Sequence, residues 1–320
     1  MPVVDPMVEK FKDYKGSSPL PPDYDVYWDK ALKELDASGL DYELEPAEFS
    51  APDIECYYLY FTGVGGARVC GKFLRPAKIE GKIPGITMFH GYSVNSGSWF
   101  NKLPYAYAGY AVLALDVRGQ LGRSDDNLVV TGNTMKGHIA RGIDEASPDK
   151  LFFRNVYLDT AKCARILMSM DFVDEKRIGA TGISQGGALT LACAALEPRV
   201  KMLAPLCPYM SDFKKIWETN HFRMAYDELW QYIRVKDPRH QRIEELFTRL
   251  GYIDISNLVS RIKGETLMFI TMTDDVCPPP TQFAIYNKLG GPKSCKIYPD
   301  YGHEAPPDSD ELIFNFFKRL

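Results

Sequence analysis

Thr181-Gly182-Ile183-Ser184-Gln185-Gly186-Gly187 follows the apolar stretch Arg177-Ile178-Gly179-Ala180 and runs directly into the helix-forming Ala188-Leu189-Thr190-Leu191-Ala192. The form is G-x-S-x-G, set between a strand and a helix. Gly182 and Gly186 lack the Cβ atoms that would clash in so sharp a turn, and Ser184 is left at its tip. The bare pattern often arises by chance as a structural turn. A strand before it and a helix after it make it a nucleophile elbow.

Working outward from the elbow, short apolar runs alternate with helical segments. The predicted strands are Gly85–Phe89, Ala111–Leu115, Arg177–Thr181, Met202–Ala204, Leu267–Ile270 and Cys295–Tyr298. Continuous apolar runs of this kind belong to a parallel sheet covered on both faces. Upstream, Cys56–Phe61 and Ala67–Leu74 flank the turn-rich Thr62-Gly63-Val64-Gly65-Gly66 and form a hairpin. An antiparallel hairpin feeding such a sheet is the α/β-hydrolase architecture. One domain over 1–320 is expected, with an extension over about 1–40 and a helical insert over about 209–262. The extension ends in a helix from Tyr24 to Leu35, with Trp28 as its packing anchor. Residues 119–155 are polar and glycine-containing and read as a long loop. Residues 209–262, rich in aromatic and charged side chains, either cover the active site or form a packing or oligomer surface.

The composition is that of a globular protein of 320 residues, 45% hydrophobic and 25% charged. A net charge of −4 gives no electrostatic reason to expect nucleic acid or an anionic membrane as partner. The N-terminal ten residues lack the basic start and apolar run of a signal peptide, and no apolar run reaches membrane-spanning length. The seven cysteines are odd in number, lack C-x-x-C spacing and mostly sit in apolar stretches. Reduced, buried thiols in a cytoplasmic protein are expected.

A serine hydroxyl needs a base, usually a histidine held by a carboxylate. In this fold the acid and then the histidine follow the serine. Of the five histidines, His90 and His138 precede Ser184, while His221 and His240 lie in the insert before the acid-bearing strand. His303 remains, after the strand Cys295–Tyr298 and before the last helix. The acid is expected just past Leu267–Ile270, where Asp274 and Asp275 are adjacent and spacing does not choose between them. The oxyanion needs two donors: the backbone N–H of Gln185 and that of Tyr92, in the loop His90-Gly91-Tyr92-Ser93. Losing either would cost roughly 2.7–4 kcal/mol of transition-state stabilisation. His90 reads as a brace for that loop. No metal-ligand spacing occurs, and Gly63–Gly66, lying inside a hairpin, is no phosphate cradle. No cofactor is expected.

With these residues in hand, the chain resembles the acetyl xylan esterase and cephalosporin C deacetylase group, carbohydrate esterase family 7. Arg118-Gly119-Gln120, Gly182-Ile183-Ser184-Gln185-Gly186-Gly187 and His303-Glu304 stand in the family's order. Gly137–Ile143 and Asp274–Tyr286 are similar to its loop and its acid-bearing segment. The resemblance implies Asp274 as the acid, four residues before the first proline of the Pro-Pro pair, and Tyr92 and Gln185 as oxyanion donors. Arg118 and Gln120 read as structural, bracing loops around the elbow. Leu121 and Pro280 depart from the family's glycine and small hydroxyl residue, which bears on substrate detail. The resemblance further implies a doughnut-shaped homohexamer that admits short oligosaccharides and excludes polymer.

The function expected is a serine esterase removing acetyl groups from short xylo-oligosaccharides and small molecules such as cephalosporin C. The alternatives are a general carboxylesterase or peptidase on the same fold, and a binding protein that has lost catalysis. A peptidase would want an extra domain for which there is no room. A lipase would want a broad apolar lid, whereas the insert is heavily charged. A binding protein would lack some part of the machinery.

Overall fold

The computed structural model describes residues 4–132 and 137–320. Among the described residues nine strands form one sheet: β1 Tyr42–Pro46, β2 Ile54–Thr62, β3 Arg68–Pro76, β4 Ile83–Phe89, β5 Ala111–Asp116, β6 Val173–Ile183, β7 Met202–Leu206, β8 Glu265–Thr271 and β9 Lys293–Tyr298. Their spatial order is β1-β2-β3-β5-β4-β6-β7-β8-β9. β1, β2, β3 and β5 pair antiparallel, and every pairing from β5 through β4 to β9 is parallel. The sequence order reverses at β4, which lies between β5 and β6. The loops leaving β4 and β6 therefore emerge side by side at the carboxyl edge, where open α/β sheets bind ligands.

Alternation along each strand sends side chains to two separate cores. Leu113 of β5 and Ile270 of β8 face one core, while Val112 and Phe269 face the other. The larger core is covered by helices α2 Tyr24–Ala37, α4 Phe152–Ser169 and α5 Gln185–Leu196; the smaller by α3 Leu103–Tyr107 and α11 Ser309–Phe317. Helix α1 is Val4–Phe11. Between β7 and β8 run α6 Phe213–Glu218, α7 Asp227–Lys236, α8 Ile243–Leu250 and α9 Ile255–Leu258, and α10 Pro279–Lys288 precedes β9. Every residue of α5 is buried, and its small side chains let it lie close on the sheet. A Cβ on Gly187 would stand 2.6 Å from the Leu206 carbonyl oxygen.

The N-terminal extension is fastened to the insert. Trp28 is fully buried, and its indole N–H donates to the Tyr252 carbonyl at 3.1 Å. Two expectations need correction. The loop expected over 119–155 ends sooner, because a short 3₁₀ turn occupies Pro148–Lys150 and α4 begins at Phe152. Leu151 caps that helix without a side-chain hydrogen bond, so no capping signal marked its start; residues 133–136 of the loop lie outside the described residues. The second is β1, an edge strand absent from the predicted strands: Tyr42, Leu44 and Pro46 alternate with Glu43 and Glu45 over only five residues, and every one of them is exposed. Pro280, by contrast, costs its helix nothing. It stands in the first turn of α10, where a missing N–H loses no helical bond.

Helix α4 also carries charge into the interior. The guanidinium of Arg118, just past β5, makes a two-pronged pair with Asp159 at 2.6 and 2.7 Å. It also donates to the Val64 carbonyl in the hairpin turn at 3.1 Å. Neither side chain of the pair is more than 1% exposed. Removing the carboxylate would strand a buried cation, so Asp159→Ala is expected to lower the unfolding free energy by about 3–5 kcal/mol in urea denaturation.

Candidate active site

Ser184 joins β6 to α5 with φ 59° and ψ −118°. The surroundings hold this uncommon backbone. Its N–H donates to Leu206 O at 3.0 Å, while its carbonyl accepts from the N–H groups of Ala188 and Tyr209 at 3.1 and 3.0 Å. The turn is so tight against β4 that a Cβ on Gly182 or Gly186 would lie 2.4 or 2.0 Å from Phe89 O. Both glycines are therefore required by close approach. Gly91 is different: a Cβ there would meet nothing within 4 Å, and the site uses only its carbonyl.

His303, in the loop between β9 and α11, reaches Ser184 across 119 positions of sequence. Its Nε2 lies 2.8 Å from Ser184 Oγ and its Nδ1 2.9 Å from Asp274 Oδ2. Asp274 has no exposed side-chain surface, whereas the His303 side chain is 17% exposed. The Asp274 carboxylate meets four donors. Oδ1 accepts from the N–H groups of Val276 and Cys277 at 2.9 and 2.7 Å; Oδ2 takes the Thr271 hydroxyl at 3.1 Å as well as His303. Asp275, its neighbour, is exposed. Geometry thus joins Asp274, and not Asp275, to the histidine. The turn is braced by Gln282, which the sequence reading passed over. Its amide exchanges hydrogen bonds with the Thr271 backbone at 3.2 Å each way and donates to Cys277 O at 2.6 Å.

The loop after β4 is held by side chains. His90 accepts the Val117 N–H at Nε2, 2.9 Å away, and its Nδ1 lies 2.7 Å from Gly91 O. Nδ1 therefore carries the proton, and burial, which lowers the ring's pKa, keeps it neutral. Gln120 accepts the Ser93 N–H at 3.0 Å and donates to Gln185 Oε1 at 2.7 Å. Gln185 Nε2 returns a bond to Gln120 Oε1 at 3.1 Å and lies 3.3 Å from Gly91 O. The sequence reading assigned Gln185 only its backbone; the side chain is the link between elbow and loop. Among the described residues, the backbone N–H groups of Tyr92 and Gln185 donate to no protein acceptor.

Two residues of the 209–262 segment stand beside this loop. The Tyr209 ring lies 5.8 Å from that of Tyr92, and Glu228 of α7 accepts the Ala140 N–H at 2.8 Å. Nothing in the local sequence of Glu228 distinguishes it from the solvated acids of the same segment. Among the described residues, one group of side chains has the proximity a metal would need: Cys207, Asp274 and His303. Burial and the Asp274 charge push the Cys207 thiol up, so it stays protonated, and the other two are already paired with each other. The donor set suits proton transfer and does not suit a cation. All seven cysteines are free, six of them buried. No helix among the described residues is long and apolar enough to cross a membrane.

The acetyl xylan esterase (AXE1) family model matches residues 1–320. Acetyl xylan esterase 1 from Thermoanaerobacterium sp. JW/SL YS485 has a TM-score of 0.95 and 49% identity, with 98% of each chain covered. The acetyl xylan esterase from Paenibacillus sp. R4 has a TM-score of 0.92 and 34% identity, covering 98% of this chain and 99% of its own. Acetyl esterase Axe7A of Xylanibacter ruminicola is 24% identical over 310 residues, 93% of this chain and 67% of its own length. A family match along the whole chain, carried on an α/β-hydrolase sheet, places this protein in the acetyl xylan esterase family.

Proposed function

We propose that Ser184, His303 and Asp274 form the catalytic triad of a serine esterase acting on short acetylated xylo-oligosaccharides and other small acetylated molecules. Acetyl ester hydrolysis is the activity of the family to which the chain belongs. The observation that carries the residue assignment is the unbroken relay from Ser184 Oγ through His303 to Asp274, with links of 2.8 and 2.9 Å.

In this reading Ser184 Oγ attacks the acetyl carbonyl carbon as its proton passes to His303 Nε2. The carbonyl oxygen becomes an oxyanion, held by the backbone N–H groups of Tyr92 and Gln185. Asp274 keeps the Nδ1–H tautomer and stabilises the imidazolium. The proton on Nε2 then goes to the departing sugar oxygen, leaving Ser184 acetylated. A water gives its proton to the same nitrogen and attacks the acetyl carbon; the bond from that carbon to Ser184 Oγ then breaks, Oγ takes the proton back from Nε2, and acetate leaves. His90, Gly91, Arg118, Gln120, Gly182 and Gly186 shape the frame without touching the reacting atoms.

The same reading extends to acetylated antibiotics such as cephalosporin C, to a cytoplasmic location and to a homohexamer. Six buried free cysteines agree with a reducing compartment. The exposed edge strand β1, with Tyr42 and Leu44 on it, offers backbone that a neighbouring copy could cover.

Substitution separates the roles. Ser184→Ala is expected to lower kcat on p-nitrophenyl acetate by on the order of 10⁶-fold. Asp274→Asn should cost on the order of 10⁴-fold through the wrong histidine tautomer, while Asp275→Asn keeps the wild-type rate. Full activity in Ser184→Ala would sink the triad. For the substrate, acetate release from acetylated xylo-oligosaccharide and a steep fall from p-nitrophenyl acetate to the octanoate are expected; equal rates on both esters would point to a general carboxylesterase.

A further inference from the structure

Glu228 sits in the first turn of α7, yet it is only 1% exposed. Its Oε1 accepts the Ala140 N–H at 2.8 Å, and the Ile139 backbone lies beside the same carboxyl group. One residue earlier, the His138 N–H donates to the Tyr92 hydroxyl at 2.8 Å. The backbone N–H groups of His138 and Ala140 are thus taken up by Tyr92 and Glu228. Gly137 completes the clamp: a Cβ there would stand 2.4 Å from both Tyr92 Oη and Glu228 Oε2, and φ is +123°. The Tyr92 ring is also bordered by Tyr209 at 5.8 Å and by the His138 ring at 6.2 Å.

A tyrosine ring fixed at its hydroxyl end fixes its own Cα, and with it the direction of the backbone N–H. Oxyanion donors act because they are aimed before the charge develops. We propose that Glu228 is a positioning residue for the oxyanion loop: through the backbone of 138–140 it immobilises the Tyr92 ring and so aims the Tyr92 N–H at the reacting oxygen. This rests on the assignment of Tyr92 as an oxyanion donor made above. Burial pushes the Glu228 carboxyl up to about 8, so it is mostly neutral at pH 7 and glutamine is its near-isostere there.

The test compares Glu228→Ala, Glu228→Gln and Tyr92→Phe with wild type and Ser184→Ala at pH 7. The readouts are kcat and KM on p-nitrophenyl acetate, and inhibition by a methyl trifluoromethyl ketone, whose serine adduct carries the oxyanion. Glu228→Ala is expected to lower kcat by about 10²-fold, the lower end of the cost of one lost donor, with KM little changed. Ketone affinity should weaken by a similar factor, and Glu228→Gln should stay near wild type. The proposal is overturned if Glu228→Ala keeps its kcat, if its ketone affinity is unaltered, or if Glu228→Gln falls as far as alanine. Should Glu228→Ala fail to fold, Tyr92→Phe tests the other end of the clamp: a joint fall in kcat and ketone affinity supports the proposal, and wild-type values of both overturn it. Ser184→Ala keeps the two levels apart. Its inactivity alongside an active Glu228→Ala would end the positioning role and leave the triad standing, whereas an active Ser184→Ala would remove the triad itself.

Discussion

Ser184 is held at φ 59° and ψ −118°, a backbone conformation that costs of order 1–3 kcal/mol and persists only where neighbours over-determine it. Here they do. The Ser184 N–H is tied to β7 through Leu206, and its carbonyl to Tyr209 and Ala188. Gly182 and Gly186 bring the elbow against the Phe89 carbonyl at the end of β4, closer than any Cβ would allow. The hydroxyl is thereby presented at the sheet's carboxyl edge, between the loops that supply its partners. The tolerance is small, since one methyl group at Gly186 would displace β4 or the elbow.

From that point outward the site is a set of loops locked by amides and neutral rings. Gln120 and Gln185 pair side chain to side chain, and His90 joins the ends of β4 and β5. Gln282 performs the same service for the turn that carries Asp274. These bonds are short-range and mostly uncharged. They set geometry without adding a further charge beside Ser184 and His303.

Farther off, helix α4 joins the N-terminal extension to the sheet through buried charge. Arg118 and Asp159 satisfy each other almost completely, and Lys162 donates to the carbonyls of Ser38 and Thr62 at 3.1 and 2.6 Å. Such groups contribute modest net stability and a strong requirement for one arrangement, because any slip leaves a charge buried and unpaired. The arginine and glutamine of Arg118-Gly119-Gln120 therefore brace different neighbours. Arg118 faces the hairpin and α4, and Gln120 faces the elbow.

Local pattern alone was enough to place the elbow, the parallel strands and His303. Apolar runs report burial directly, and chain order left one histidine in the right loop. Strand ends were read short where polar residues break the run, as at Asp174-Glu175-Lys176, which belong to β6 although they are not buried. Edge strand β1 and the start of α4 carried weak local signals, since one alternates over only five residues, all exposed, and the other lacks a capping side chain. Spacing left Asp274 and Asp275 open and the resemblance favoured Asp274; only the tertiary structure put Asp274 in contact with His303, paired Gln120 with Gln185, and brought Glu228 against the Tyr92 loop. The reason is physical: a pattern of neighbours along the chain fixes which faces are apolar, whereas a hydrogen bond between residues dozens of positions apart exists only once packing has set the distance.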